Sequence, residues 1–248
     1  MIDSHIHVGQ FNDLYIEPSA IHNLMAELNV DYYAVSSTTI CEENYPKVID
    51  ELQELIWLDK DKVLPVMWIT PDGLNGNVAW YLESSIKWKC LKIHPFLHPD
   101  VWTNAGGQLS EVLEIAKELN IPALIHTGNE ISCQSTKFEG TIANNPDTNF
   151  ILAHGRPLDQ SIIIVKLYDN VFADTAFMPI THIKSFIESG LSHKLLWGTD
   201  MCIPQYFYPS CDLVKYYKDK LANLAEICTP EQYQQITHNN AIKIFNIK

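Results

Sequence analysis

Eight strand-like segments that alternate with helix-like segments predict an α/β protein, a single (β/α)8 barrel, for this chain of 248 residues. The strand-like segments recur at a mean interval of about 27 residues along the whole chain. Several of them are apolar almost throughout, as expected for a parallel sheet that is covered on both faces. No Gly/Ser linker or low-complexity tract divides the chain, so we expect one domain over residues 1–248.

Each predicted strand is a short run rich in β-branched, aromatic or other apolar residues. In chain order they are IDSHIHV (2–8), DYYAVSST (31–38), VLPVMWI (63–69), CLKIHP (90–95), PALIHTG (122–128), FILAHG (150–155), VFADTA (171–176) and LLWGTD (195–200).

The clearest helices between these strands have apolar residues at helical spacing. They are AIHNLMAEL (20–28), KVIDELQELIWL (47–58), SEVLEIAKEL (110–119) and LVKYYKDKLANLAEI (213–227). Asn29, Asn120 and Gly190 fall where residues that end helices are expected. A doubly wound open sheet is the alternative fold, but it normally has a glycine-rich turn after its first strand. Here the first strand continues into VGQFNDLY, which has no G-x-G-x-x-G, and this favours the barrel.

The composition excludes several partners. The formal net charge of −13 argues against nucleic acid and anionic membranes as partners. The sequence contains no run of eighteen apolar residues, so it does not predict a membrane span. The six cysteines include no C-x-x-C pair, which is typical of reduced thiols in a cytoplasmic protein. We therefore expect a cytoplasmic protein that acts on a small molecule.

The first strand carries His5 and His7, which are separated by one residue. Residues i and i+2 of a strand point to the same face, so the two imidazoles lie side by side. That arrangement suits chelation of a metal ion such as zinc. The ordinary alternative is a pair of hydrogen-bonded polar residues.

Polar residues also end other predicted strands, and active sites of (β/α)8 barrels lie at the C-terminal ends of the strands. Residues that can bind a metal or move a proton end five of the eight strands, and these are His5 and His7, Lys92 and His94, His126, His154, and Asp200. Taken singly, each has an ordinary explanation, such as a structural histidine, a turn-forming aspartate or a lysine that extends to solvent. Because a barrel brings all the ends to one mouth, we expect a single site.

The motifs H-x-H (His5, His7), H-T-G (His126), A-H-G (His154) and G-T-D (Asp200) match the amidohydrolase superfamily in order and in strand assignment. Within that superfamily the chain resembles the amidohydrolase-2 type, the branch that includes aminocarboxymuconate-semialdehyde decarboxylase. The segments LKIHP, PALIHTG and ITHNNAIKIFNI are also similar to that branch. The resemblance spans essentially the whole chain and implies a TIM barrel, distorted as in metal-dependent hydrolases.

The resemblance further implies that His5, His7, His126 and Asp200 bind one divalent metal ion, with zinc preferred and manganese as the alternative. It implies that His154 lies near the metal-activated water as an acid/base or a substrate polariser. A metal ion lowers the pKa of a water molecule that it binds, so Asp200 can then act as the general base. Homodimers are frequent among barrels of this kind, and the resemblance leaves a homodimer open.

Two cations and two further residues are predicted to bind substrate. Lys92 is predicted to be a point-charge anchor for an anionic substrate. The alternative, which the resemblance implies because some branches of the superfamily have it, is a carboxylated lysine that bridges two metal ions. His94 lies on the same strand face. Arg156, the only arginine, follows strand 6 and suits bidentate binding of a carboxylate, unless it pairs with an acidic residue of the protein itself. In the loops after strands 1, 5 and 8, the candidates for substrate contact are Phe11, Tyr15, Glu130, Tyr206 and Phe207.

The predicted function is metal-dependent hydrolysis of a C–N or C–O bond in a small, carboxylate-bearing molecule. The alternative enzyme is a non-oxidative decarboxylase or hydratase of a small unsaturated or aromatic carboxylic acid, since the same metal site serves either reaction. A barrel that binds metal or ligand without turnover is a third possibility. His154, an acid/base beyond the minimum ligand set, argues against it.

Overall fold

The computed structural model of the protein describes residues 1–71, 77–95, 97 and 107–248. Its sheet has nine strands in the order β2-β1-β3-β4-β5-β6-β7-β8-β9, and every neighbouring pair except β1–β2 is parallel. The strands are β1 Ile2–Phe11, β2 Leu14–Ile16, β3 Tyr32–Ser37, β4 Val63–Ile69, β5 Cys90–Ile93, β6 Ala123–His126, β7 Phe150–Ala153, β8 Val171–Asp174 and β9 Leu195–Leu196. All eight predicted strands are present, and among the described residues the short β2 is the one strand that the sequence analysis missed.

Helices follow most of the parallel strands, as a (β/α)8 barrel requires. Their bounds are α1 Pro18–Glu27, α2 Tyr45–Leu58, α3 Asn77–Glu83, α4 Gly107–Leu119, α5 Glu139–Ala143, α6 Leu158–Leu167, α7 Ile180–Glu188, α8 Ile203–Phe207, α9 Leu213–Ile227, α10 Pro230–Gln234 and α11 Asn240–Ile244. Asn29, Asn120 and Gly190 adopt left-handed backbone angles just beyond α1, α4 and α7, as predicted from their residue types.

The barrel closes between β1 and the segment 197–201, which follows β9. The Ser4 amide donates to the carbonyl of Trp197 at 2.8 Å, and the Asp200 amide donates to the carbonyl of His5 at 2.8 Å. Regular strand pairing at this seam is limited to one parallel bridge, and β9 has only two residues. The predicted strand 195–200 is therefore shorter than expected, and the barrel is distorted at its closing edge.

The core has two parts. The larger part packs the outward-facing residues of the sheet against the helices. The smaller part takes residues from each of the parallel strands, which places it inside the barrel, and the C-terminal helix residues Ala241, Ile244 and Phe245 pack against it. Its strand residues are Ile2, Ala34, Leu64, Val66, Cys90, Leu124, Ile151, Ala153, Phe172 and Leu196.

Two further observations concern the cysteines and the apolar character of the helices. All six cysteines are free thiols. Among the helices in the described part of the chain, none combines the length and the apolar character that a membrane crossing needs.

Candidate metal centre and active site

The strands carry polar side chains at the C-terminal end of the barrel. Residues i and i+2 of a strand point to the same face. A side chain two residues after an apolar residue of the barrel interior therefore also points inward. Inward positions of this kind in β5, β6 and β8 are Lys92, His126 and Asp174.

His5, His7 and Asp200 form one of two groups of possible metal ligands among the described residues, and the other group is His5, His154 and Asp174. In the first group, one ligand atom from each residue lies within 4.8 Å of the others, and all three residues are buried. Asp200 Oδ1 lies 2.8 Å from His7 Nε2 and 3.4 Å from His5 Nε2. The closing seam of the barrel brings them together, because Asp200 hydrogen-bonds the main chain of His5.

Partners behind the two imidazoles orient their Nε2 atoms toward this point. His5 Nδ1 lies 2.9 Å from Asp174 Oδ2, and His7 Nδ1 lies 3.0 Å from Ser36 Oγ. Such hydrogen bonds fix the ring and the tautomer of a metal-binding histidine. Two imidazole Nε2 atoms and a carboxylate oxygen are a donor set that fits a divalent ion such as zinc.

The protonation states of the group also suit a cation. Burial, followed by the charge of Lys92, lowers the pKa of His7 to about 3, so this imidazole is neutral at pH 7. Burial alone would raise the pKa of Asp200, but His5 and a hydrogen bond from His7 hold it well below its usual value. The group therefore has a neutral imidazole in His7 and an ionised carboxylate in Asp200, both of which could bind a cation.

Lys92 points at the same atoms. Its Nζ lies 3.0 Å from His5 Nε2 and 3.1 Å from His7 Nε2, and it stands 4.3 Å from the centroid of the Trp68 ring. Lys92 is buried, and burial lowers its pKa to about 8 although the nearby Asp200 favours the charged form.

His154 follows β7 beside this group, with its ring centroid 5.4 Å from that of His5. Its Nδ1–H donates to the carbonyl of Ala176 at 3.0 Å, so Nε2 presents a lone pair. Burial lowers the pKa of His154 to about 4. The residue has a left-handed φ of 69°, and its amide donates to Asp174 Oδ1 at 2.9 Å, which helps to hold this unusual conformation.

His126, predicted as the fourth ligand, lies outside the group of His5, His7 and Asp200. Its ring stacks on that of His94 with centroids 3.8 Å apart, and its Nδ1 lies 3.1 Å from His154 Nε2. Burial and then the neighbouring His94 lower its pKa well below the usual value. His126 is thus a neutral imidazole that contacts the acid/base candidate.

A cavity of about 410 Å³ opens above these residues. The residues that line it are His7, Phe11, Thr38, Trp68, Lys92, His94, Leu97, His126, Gly128, Asn129, Glu130, His154, Arg156, Phe177, Asp200, Ile203 and Phe207. All four residues predicted to bind substrate, namely Lys92, His94, Arg156 and Glu130, are among them. Within the described part of the chain, Arg156 has no ion pair, and its Nε is buried without a hydrogen-bond partner.

The aromatic residues predicted to contact substrate differ in their position relative to the cavity. Phe11 and Phe207 line the cavity, whereas Tyr15 and Tyr206 do not. Tyr206 packs behind them, with its ring 4.9 Å from Phe11 and 5.2 Å from Phe207. The aromatic residues therefore form one wall of the cavity and its support.

The sequence analysis missed three residues that shape the site. Asp174 orients His5 and His154, Ser36 contacts His7, and Trp68 lies against Lys92. Asp174 carried the same signal as the predicted residues, because it is a carboxylate at the C-terminal end of the predicted strand VFADTA. For Ser36 and Trp68 the sequence holds no comparable signal, since such residues are common in strands.

Comparison with known proteins places the chain in a family. The family model described as Amidohydrolase matches residues 2–247, so the chain belongs to the amidohydrolase family, whose enzymes are metal-dependent. No curated protein matches the chain.

Solved structures share the fold at low sequence identity. An uncharacterized TIM-barrel protein from Bordetella bronchiseptica is 16% identical, with a TM-score of 0.72, and the match covers 99% of this chain and 98% of that one. The 4-oxalomesaconate hydratase of Rhodopseudomonas palustris is 16% identical, with a TM-score of 0.72 and coverage of 99% and 95%. The 2,6-dihydroxybenzoate decarboxylase from Rhizobium is 12% identical, with a TM-score of 0.68 and coverage of 99% and 98%. These likenesses support the distorted barrel.

Proposed function

We propose that the protein hydrolyses a C–N or C–O bond in a small, carboxylate-bearing molecule, using one divalent metal ion. The observation that carries this proposal is the convergence of His5, His7 and Asp200 beside one cavity. His7 and Asp200 line this cavity together with Lys92 and Arg156. Zinc is the preferred ion, since imidazole nitrogen and carboxylate oxygen are ligands that it favours, and manganese is the alternative.

The metal ion would be held by His5, His7 and Asp200, with His126 as a further ligand if its ring turns from His94. The bound ion supplies Lewis acidity, which makes water a nucleophile near neutral pH. Asp200 accepts the proton of the attacking water. The proton that Asp200 takes from the water would pass to Nε2 of His154, which in its buried surroundings is a strong acid when protonated and gives this proton to the leaving group.

The two cations define the substrate end of the cavity. Arg156 offers a guanidinium with an unpartnered Nε, which suits a carboxylate, and Lys92 adds a second positive charge nearer the metal ligands. This local positive charge in a protein of net charge −13 favours an organic acid over a cationic substrate.

Decarboxylation or hydration of an unsaturated or aromatic acid is the second candidate. Flat rings line the cavity, including the His94–His126 stack, Trp68 and Phe177, and they suit a planar substrate. The solved structures of similar fold include a hydratase and a decarboxylase, whose names describe reactions of carboxylic acids. Carboxylation of Lys92 with a second metal ion is the less favoured arrangement of the same site.

The assay that tests the proposal uses the zinc-loaded protein with a panel of lactones, amides and unsaturated or aromatic carboxylic acids in H₂¹⁸O. Hydrolysis incorporates ¹⁸O with bond cleavage, hydration adds the mass of water, and decarboxylation releases CO₂. His154→Gln should lose turnover by about 10²- to 10⁴-fold while it keeps its zinc. Turnover that survives in the variant contradicts the role of His154, and no turnover across the panel contradicts the proposed reaction class.

The remaining parts of the proposal concern the cellular location of the enzyme, its ligands and its oligomeric state. We expect a cytoplasmic enzyme because all six thiols are free, and we expect a small molecule as its only ligand besides the metal ion. A homodimer is compatible with the fold and would be detected by sedimentation.

A further inference from the structure

The position of the Lys92 ammonium is unusual for a substrate anchor. Its Nζ lies within hydrogen-bond distance of two imidazole nitrogens, His5 Nε2 at 3.0 Å and His7 Nε2 at 3.1 Å. These are the two nitrogens that would bind the metal ion.

The partner of His5 Nδ1 determines the direction of the first contact. Asp174 Oδ2 lies 2.9 Å from His5 Nδ1, and the other oxygen of this carboxylate accepts the amides of His154 and Ala176. Because a carboxylate accepts at Nδ1, the ring that binds a metal ion carries its proton on Nδ1 and presents its lone pair on Nε2. Lys92 donates to that lone pair, which is the electron pair that a metal ion would take.

Surrounding groups hold the ammonium at this point. Lys92 is 2% exposed, and the face of the Trp68 ring lies 4.3 Å from its Nζ. Its charge also balances Asp200, whose Oδ1 lies 2.8 Å from the same His7 nitrogen. A lysine ammonium and a metal dication are both cations, and close approach of the two is unfavourable in a buried site.

We propose that Lys92 is an internal competitor of the metal ion: when no ion is bound, its ammonium holds the lone pair of His5 Nε2 and stands beside His7 Nε2, and metal binding displaces it. This inference rests on the proposed metal-dependent function. Lys92 also lines the cavity, so the displaced ammonium stays on the substrate side, where the proposed function uses it.

Zinc affinity of the natural chain and of Lys92→Met tests the proposal, measured by competition with a fluorescent chelator. Methionine keeps the unbranched shape beside Trp68 but cannot donate a hydrogen bond or carry charge. We expect Lys92→Met to bind Zn²⁺ about ten-fold more tightly or better. Lys92→Gln, a second variant in case the first folds poorly, should give a smaller gain because its amide still donates to one imidazole.

Lys220→Met is the matched control. Lys220 is a second lysine near the same carboxylates, and its Nζ donates to the carbonyl of Thr175 at 3.2 Å rather than to a histidine. Its removal should tighten zinc binding by less than about three-fold, since only a distant charge is lost.

Each other result overturns the inference. Equal tightening in the Lys92 and Lys220 variants would leave only a general charge effect. Weaker zinc binding by Lys92→Met would mean that Lys92 supplies a ligand, as a carboxylated lysine does. If the natural chain binds zinc and Lys92→Met binds it with the same affinity, the competition by Lys92 is contradicted but the proposed function is not. If the natural chain does not bind zinc at all, the proposed function is contradicted as well.

Discussion

The His5 Nδ1 atom lies 2.9 Å from Asp174 Oδ2, and this contact determines which nitrogen of His5 faces the mouth of the barrel. The other carboxylate oxygen of Asp174 accepts the amides of His154 at 2.9 Å and Ala176 at 3.0 Å. One buried carboxylate thus orients a candidate metal ligand and positions the acid/base candidate.

Substitution Asp174→Asn should weaken zinc binding by about 10- to 100-fold. The amide of asparagine can donate to His5 Nδ1, which moves the imidazole proton to Nε2 and removes the lone pair from the site. Isothermal titration with Zn²⁺ measures the change. The control is Asp212→Asn, an exposed residue whose Oδ1 caps α9 through the Lys215 amide, and its zinc affinity should equal that of the natural chain. Unchanged affinity in Asp174→Asn would show that the contact does not set the tautomer.

Acid should destabilise the protein partly through His154 when metal is removed with a chelator. Burial lowers the pKa of His154 to about 4, from about 6.5 in the unfolded chain. The unfolded state therefore binds more protons between these values, so the contribution is complete above pH 6.5 and is lost as the pH falls to 4. The loss is on the order of 3 kcal/mol in the free energy of unfolding.

Urea unfolding at several pH values compares the natural chain with His154→Gln. The variant should lack this part of the pH dependence, while the part that comes from His7 and the carboxylates remains. Identical pH profiles for the two proteins would mean that His154 is not held neutral by its surroundings.

Substitution Arg156→Met should raise KM for a carboxylate substrate by about 10- to 100-fold, because a charge-assisted pair of hydrogen bonds is lost. The methyl ester of the same substrate lacks the charge and serves as the control, with a KM that changes little. Substrate saturation curves for both compounds give the comparison. An unchanged KM for the acid would remove Arg156 from the substrate site.

A stability test concerns Gly9 at the end of β1. Gly9 has a φ of 91°, and a Cβ atom added there would lie 2.5 Å from Glu51 Oε2 and 2.5 Å from Thr39 Oγ1. Gly9→Ala should lower the free energy of unfolding by about 2 to 3 kcal/mol. Gly140→Ala is the control, since an added Cβ there would have no atom within 4 Å apart from its chain neighbours and the backbone of its own helix. Equal stability of Gly9→Ala and the natural chain, measured by urea unfolding, would contradict the close packing around Gly9 in β1.

The sequence predicted the barrel because eight apolar runs with helical segments between them leave few alternatives. It could not predict β2, which has three residues and pairs with the C-terminal end of β1. It also overestimated the last strand, since the left-handed φ of 59° at Asp200 interrupts regular pairing there. Such irregular geometry depends on tertiary contacts at the closing seam.

The site was predicted where the signal was a polar residue at a strand end. That rule indicated His5, His7 and Asp200, which the fold brings together. It could not determine side-chain orientation, so the stacking of His126 on His94 and the direction of the Lys92 ammonium were inaccessible. Both depend on packing between different strands, and sequence spacing contains no information about it.

The most direct test of the central claim is the metal content per chain of the purified protein, measured by elemental mass spectrometry beside an Asp200→Asn variant. We predict one equivalent of zinc or manganese in the natural protein and a sharp reduction in the variant, because Asp200 supplies the charged ligand. Two equivalents would favour a carboxylated Lys92 that bridges two ions. The absence of metal from the natural protein, even after reconstitution with zinc or manganese, would contradict the account.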